Sequence, residues 1–357
     1  MPTADGSSDP ATKVASLVER VPIVAVAALT GLAVAALVIW QLATVGFDTA
    51  EFDYLFISGC LTTVGGLWLA RGQAERFEEM FDRLVHRKAL TGEGLATKKP
   101  SALLIEVQNR ALRWSTWAGV VLGLLLAAAW VAVNLLREHE MRVFDEIAGP
   151  LAGAIGGFVV GRVLGRMLSY GLLGPFLEGK NVRFAPQARH VDGAGGLKPV
   201  GDYYLYQALL LALPAVFLLF WSFMLAIPEW DHRYEGWRET YIGLLALAIL
   251  LELLAFVAPM WHAHAAMKKA KLMELKTVDT DVAGEIANLR LELEHESDPE
   301  KRSTAESKLE RLTARYEAAE TMPTWPIDRA LRRRVTLGNA GLVLGLVGQA
   351  AALSGWS

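Results

Sequence analysis

The sequence predicts an all-α, polytopic integral membrane protein with about seven transmembrane helices, a cytoplasmic N-terminus and a cytoplasmic antiparallel helical hairpin. Three observations carry the prediction. Hydrophobic residues make up 53% of the 357 residues and the mean hydropathy is +0.31, too apolar for a soluble chain of this length. The apolar residues fall in blocks at 21–47, 55–70, 116–136, 147–173, 204–227, 241–261 and 335–353, each about long enough to cross a ~30 Å hydrocarbon layer as helix. Lysine and arginine crowd into alternate connections, while the opposite connections hold only Arg137, Arg142, Arg233 and Arg238. Positive charge marks the cytoplasmic side, so the N-terminus and the large insertions lie inside.

Taken in order, residues 1–20 are polar and read as a disordered cytoplasmic tail. Residues 21–70 supply transmembrane helices 1 and 2. The first block ends in Gln41, Leu42 and Phe47 rather than a small-residue cleavage site, so it reads as a retained helix. Cys60, the single cysteine, lies in the second block, and no intrachain disulfide is available. Residues 71–114 read as cytoplasmic amphipathic helices split at "LTGEGLATKKPS". In the first, Phe77, Met80, Phe81, Leu84 and Val85 share a face. These helices would lie under the bilayer as collars or pack on the long hairpin.

Residues 115–173 hold helices 3 and 4, and the fourth carries a glycine zipper. Gly149, Gly153, Gly157, Gly161 and Gly165 recur at every fourth position. In water each interior helix glycine costs about 1 kcal/mol against alanine. In lipid a smooth stripe instead permits close backbone approach, a main force of helix association there. Two readings fit the stripe: packing against another helix of the same chain, or self-association around an axis, with this helix lining or buttressing a pore. The same segment holds Arg162 and Arg166, and the sixth block holds Glu252. Charges at membrane depth face protein or water. The depths allow an Arg162–Glu252 contact, and Arg166 is placed to snorkel to headgroups. Glu252 is then either a paired structural group or a cation or proton site.

Residues 174–202 form a cytoplasmic glycine-rich loop containing "RHVDGAGGLKPVGD". His190, Asp192, Gly193, Gly195 and Gly196 are its ligand-binding candidates, and the competing reading is conformational, with sharp turns at the glycines and Asp202 capping the fifth span. No GK[ST] follows a strand here, and His-x-Asp offers at most two metal ligands. Residues 203–261 are helices 5 and 6. Residues 262–322 read as the hairpin, an arm about 35–40 Å long at 1.5 Å per residue. Ser297 and Glu300 form a capping box for its second helix, and His262 and His264 sit at its membrane end on different faces. Residues 323–357 re-enter through "TWPID" and form helix 7 with Gly338, Gly341, Gly345 and Gly348.

The motifs of hydrolases, metalloproteases and P-loop enzymes are missing, so the expectation is no enzyme, cofactor or metal. The basic segments are explained by topology and imply no nucleic acid. The leading expectation is a homo-oligomeric membrane pore or ion channel of an inner or plasma membrane, gated or assembled through the hairpin. Its outer connections are acidic, which weakly favours cations. The alternatives are a non-conducting sensor or scaffold that docks a cytoplasmic protein partner, and a secondary transporter using Glu252.

Overall fold

The computed structural model describes residues 54–136, 143–187, 190–227, 237–295, 298–327 and 340–348, with isolated helical positions at 28, 32, 35, 39, 43, 333 and 336. The N-terminal tail, the acidic outer segments at 48–53 and 228–236, and Gly338 lie outside the described residues. So does most of the first block.

The described chain is almost wholly helical. Its elements are α1 (Tyr54–Ala70), α2 (Gln73–His86), β1 (Leu90–Thr91), α3 (Glu93–Thr97), α4 (Pro100–Leu136), α5 (Val143–Gly171), α6 (Leu173–Glu178), β2 (Arg183–Phe184), α7 (Lys198–Met224), α8 (Trp237–Asp281), α9 (Ala283–His295) and α10 (Pro299–Glu320). A last helical stretch, α11, covers 340–348. Among the described residues, three stretches are long and apolar enough to cross a membrane: Pro100–Ala129, Lys198–Met224 and Tyr241–His295. Helix α1 has 17 residues, short of the roughly 20 that span hydrocarbon. Outward-facing Val121, Leu124 and Leu125 on α4, Val216, Phe220 and Phe223 on α7, and Leu247, Leu250 and Leu254 on α8 are exposed. Apolar surface of that breadth suits lipid contact rather than water.

The main core gathers at one end of the bundle, where the 71–114 and 174–202 connections meet. Phe77, Phe81 and Leu84 of α2 pack there with Leu103 of α4, Tyr170 of α5, Leu173 and Leu177 of α6, Tyr203 and Tyr204 of α7, and Met260 and Met267 of α8. The Phe77 and Tyr170 rings stack at 4.0 Å, and Tyr203 meets both edge-on. Helix α2 therefore buries its predicted face against the bundle, in a core that reaches Ala263 and Met267 at the base of the arm. Deleting a buried aromatic such as Phe77 costs about 3–5 kcal/mol.

Three local expectations need correction. A short antiparallel pair joins Leu90 to Phe184 and Thr91 to Arg183, so helix is not the only regular element. Helix α7 begins at Lys198, with Pro199 in its first turn and Leu197 at the N-cap position, one turn before Asp202. Proline's fixed φ suits that first turn. Helix α10 is capped by Asp298, which accepts from the Glu300 amide at 3.0 Å, with Pro299 following; Ser297 lies outside the described residues.

Beyond the bundle, α8 continues through Pro259 without a break. Helix α10 packs on α9 and the end of α8 through Val278, Val282 and Ala319, flanked by Ile286, Leu312 and Tyr316. Lys308 reaches Glu285 at 2.7 Å and Arg315 reaches Glu274 at 3.8 Å.

Candidate functional site

The glycine stripe faces α4 of the same chain. A Cβ on Gly157 would stand 2.6 Å from the Leu122 carbonyl oxygen, one on Gly161 2.4 Å from that of Ala118, and one on Gly165 2.5 Å from that of Trp114. Gly153 approaches Leu126 at 3.2 Å on the same terms. Helix α4 answers with its own glycines, because a Cβ on Gly119 or Gly123 would stand 2.8 Å from a carbonyl oxygen of α5. Backbone lies on backbone, and no side chain fits between. Gly149 lies in α5, one turn before Gly153. A groove filled from within the chain is not open to a second copy, so this packing lends no support to the glycine face as an oligomer or pore axis.

The arginines divide from the glutamate. Arg162 belongs to the α4 side: its carbonyl accepts from Ser115 Oγ at 2.9 Å, and its Cγ lies 3.1 Å from where a Gly119 Cβ would be. Arg166 is partly buried one turn further on. Glu252 lies elsewhere. Leu245, Ile249, Glu252, Phe256, Met260, Ala263 and Met267 are all buried, and their spacings of three and four put them on one face of α8. That face meets α7, where Ala215 joins Leu245 and Ile249, and Tyr204 and Ala208 join Phe256. Glu252 is 5% exposed in this seam and its Oε2 has no hydrogen-bond partner. The expected Arg162–Glu252 pair is not formed, because the two side chains serve different seams.

The 190–198 loop presents the opposite arrangement. The Asp192 side chain is 5% exposed and is surrounded by donors. Its Oδ1 accepts from the amides of Ala194 and Gly196, both at 2.9 Å, and its Oδ2 accepts from the Lys198 amide at 3.3 Å. Arg87 Nη1 reaches Oδ2 at 2.6 Å, and His190 Nδ1 lies 2.9 Å from Oδ1. That ring nitrogen also lies 3.3 Å from the Asp192 amide. One nitrogen cannot donate and accept at once, and the shorter contact makes it the donor. Gly193, Gly195 and Gly196 have φ of +63°, +63° and +85°, left-handed backbone that glycine takes without strain. Burial alone would raise the Asp192 carboxyl, but the Gly196 and Ala194 amides and His190 outweigh it and hold it below its ordinary value. The carboxylate's acceptor sites are spent on its own loop and on the first turn of α7. The geometry is that of a structural knot, which favours the conformational reading of the loop.

The two histidines of the arm meet different partners. His262 Nδ1 lies 3.4 Å from Glu178, whereas His264 stacks on Trp325 at 4.3 Å and bonds the Thr324 carbonyl at 2.6 Å. The sequence reading missed Arg87 as the partner of Asp192, 105 residues away. It also missed two buried polar atoms without partners, Gln73 Nε2 and Ser169 Oγ. No local pattern signals any of these. Among the described residues no group of three or more His, Cys, Asp or Glu is placed to hold a metal ion. Comparison with family models, with curated proteins and with solved structures returns no match. Glu252 is therefore the candidate site, on chemistry alone.

Proposed function

We propose that this chain is a multi-pass membrane protein that moves cations or protons, with Glu252 as the carboxylate that takes the ion between α7 and α8. In this reading about seven helices cross an inner or plasma membrane. The N-terminus and the α8–α10 hairpin face the cytoplasm, as the positive-inside asymmetry requires. The glycine-packed α4–α5 pair is the rigid frame, and the path follows the α7–α8 seam.

The observation that carries the reading is the unpartnered Oε2 of a 5%-exposed glutamate in an apolar seam. A buried carboxylate without a partner demands a proton or a cation, and an ionisable group in a membrane helix is by default a functional candidate. Pro259 two turns beyond Glu252 and Pro214 within α7 interrupt the backbone ladders of both helices beside the seam. Interrupted ladders let helices bend.

The test is flux of protons, sodium and potassium into liposomes that hold the purified chain. Glu252→Gln removes the exchangeable charge with little change of shape, and we expect it to lower flux about tenfold or more. Glu252→Asp should retain part of it. Wild-type flux in Glu252→Gln, with the variant folded and inserted, would refute the reading.

A second reading rests on the arm. Leu272, Met273 and Leu291 are exposed on the helices of the arm, a surface suited to a cytoplasmic protein partner in a chain that does not conduct. Absent flux in the wild type together with partner capture through the arm would favour it.

A further inference from the structure

We propose that the corner between α1 and α2 binds the phosphate of an anionic phospholipid in the cytoplasmic leaflet, through Arg71 and Arg76. The inference rests on membrane insertion and orientation but not on ion movement.

The corner is built from two arginines held flat on aromatic rings. Arg71 lies over the Trp68 ring at 3.9 Å, and Arg76 lies over the Tyr206 ring at 4.2 Å. Tyr206 is itself fixed, because its hydroxyl donates to the Leu69 carbonyl at 2.5 Å. This bond ties α7 to the last turn of α1. Gly72 lies between the two arginines in sequence, and Arg76 Nε is 3.7 Å from where a Gly72 Cβ would stand. Both arginines are exposed, and among the described residues neither forms an ion pair. Even Glu75, the acid nearest in sequence, pairs with neither. Other arginines of this end are engaged: Arg83 with Glu79, and Arg87 with Asp192.

A guanidinium stacked on a ring keeps its N–H edge turned outward. That planar fork matches two oxygens of a phosphate, which an ammonium cannot do. Stacking also orders the side chain beforehand, so less freedom is lost on binding. Two such forks about one glycine make an anion site without an anion of the protein's own.

The surroundings say which phosphate. Leu61, Trp68 and Leu69 of α1 and Leu209 of α7 are exposed, at 58%, 47%, 53% and 58%. They form an apolar surface leading from the arginines along the bundle, as acyl chains would run. Trp and Tyr at a helix end mark the headgroup level, and basic corners between helices on the cytoplasmic side suit anionic headgroups. A free phosphate would use the arginines but gain nothing from the leucines.

The experiment uses the full chain in nanodiscs of phosphatidylcholine, with or without phosphatidylglycerol. It reads thermal unfolding, and the phosphatidylglycerol retained when the protein is released for native mass spectrometry. The wild type should unfold at higher temperature with phosphatidylglycerol and retain it. Arg71→Gln with Arg76→Gln should reduce retention about tenfold or more, the loss expected for charge-assisted hydrogen bonds, and abolish the thermal shift. Arg71→Lys with Arg76→Lys, which keeps the charge and loses the fork, should fall between, and supplies the test if the glutamine pair does not fold. Arg83→Gln should behave as wild type. Equal retention by wild type and the glutamine pair would overturn the site, as would equal retention by wild type and the lysine pair. Inorganic phosphate added to phosphatidylcholine discs should leave the wild type unshifted; a shift equal to that from phosphatidylglycerol would overturn the lipid assignment. Glu252→Gln should retain lipid normally, which separates this result from the flux measurement.

Discussion

Two carboxylates largely hidden from solvent, one in the 190–198 loop and one in the α7–α8 seam, are entirely different in chemistry. Asp192 is met by three backbone amides, Arg87 and His190. Glu252 lies on the buried face of α8 between Ile249 and Phe256 and leaves Oε2 without a hydrogen bond. Burial alone therefore does not mark a site in this molecule. What separates structure from candidate function is whether the lone pairs are already used. A satisfied carboxylate organises the chain around it, whereas an unsatisfied one is a stability cost that folding would remove if nothing required it.

That contrast can be broken experimentally, and the largest effect is expected at the satisfied group. Asp192→Ala leaves Arg87 and three amides without their acceptor. Breaking such a pair costs about 3–5 kcal/mol, and Arg87, being partly exposed, recovers some of it through water. Thermal unfolding should show a clear loss, concentrated where α7 begins. An unchanged melting temperature would mean that the loop is not the knot described. Glu252→Leu should act in the opposite direction. A buried polar group without a partner carries a desolvation cost of about 1–3 kcal/mol, which an apolar side chain of similar volume removes, so the variant should melt no lower than wild type while losing flux. A destabilised Glu252→Leu would show that the carboxyl has a structural partner after all.

The smallest effect is pH-dependent. The Asp192 carboxyl is held below its ordinary value in the folded chain. Its contribution to stability is thus fully present above the ordinary carboxyl range, and it is lost as pH falls through the lowered folded value. Hydrogen exchange of the Ala194, Gly196 and Lys198 amides should lose protection on acidification in the wild type. In Asp192→Asn the same amides should show a flatter profile, because the amide side chain does not titrate. Identical profiles would exclude the carboxylate as their anchor.

How far the sequence reached can be traced residue by residue. The face of α2 was legible because a helix repeats every 3.6 residues, and Phe77, Met80, Phe81 and Leu84 obey that period. The turn-forming role of the Asp192 loop was legible from glycines that tolerate left-handed backbone. The glycine series on α5 announced close packing, but its partner was not readable. In "ALRWSTWAGVVLGLLL" Gly119 and Gly123, four apart, mark a face suited to close packing, but nothing there pairs Ala118, Leu122 and Leu126 with Gly161, Gly157 and Gly153. The Arg162–Glu252 pairing failed for a related reason. Depth along a helix follows from counting residues at 1.5 Å each, but the direction a side chain faces depends on which helix lies beside it.

Helical periodicity, the blocks of apolar residues, the charge asymmetry between alternate connections and the places that need glycine are all written in the order of residues along the chain. All of these depend on near neighbours in the chain or on transfer between water and hydrocarbon, so local composition suffices. It took the packed chain to set α4 in the glycine groove, to close Arg87 on Asp192, to seat Gly201 under the Pro326 carbonyl and to leave Glu252 Oε2 without a hydrogen bond. Those outcomes depend on contacts between segments far apart in sequence, which are selected by fitting whole faces together. No single segment carries the information about the face it will meet.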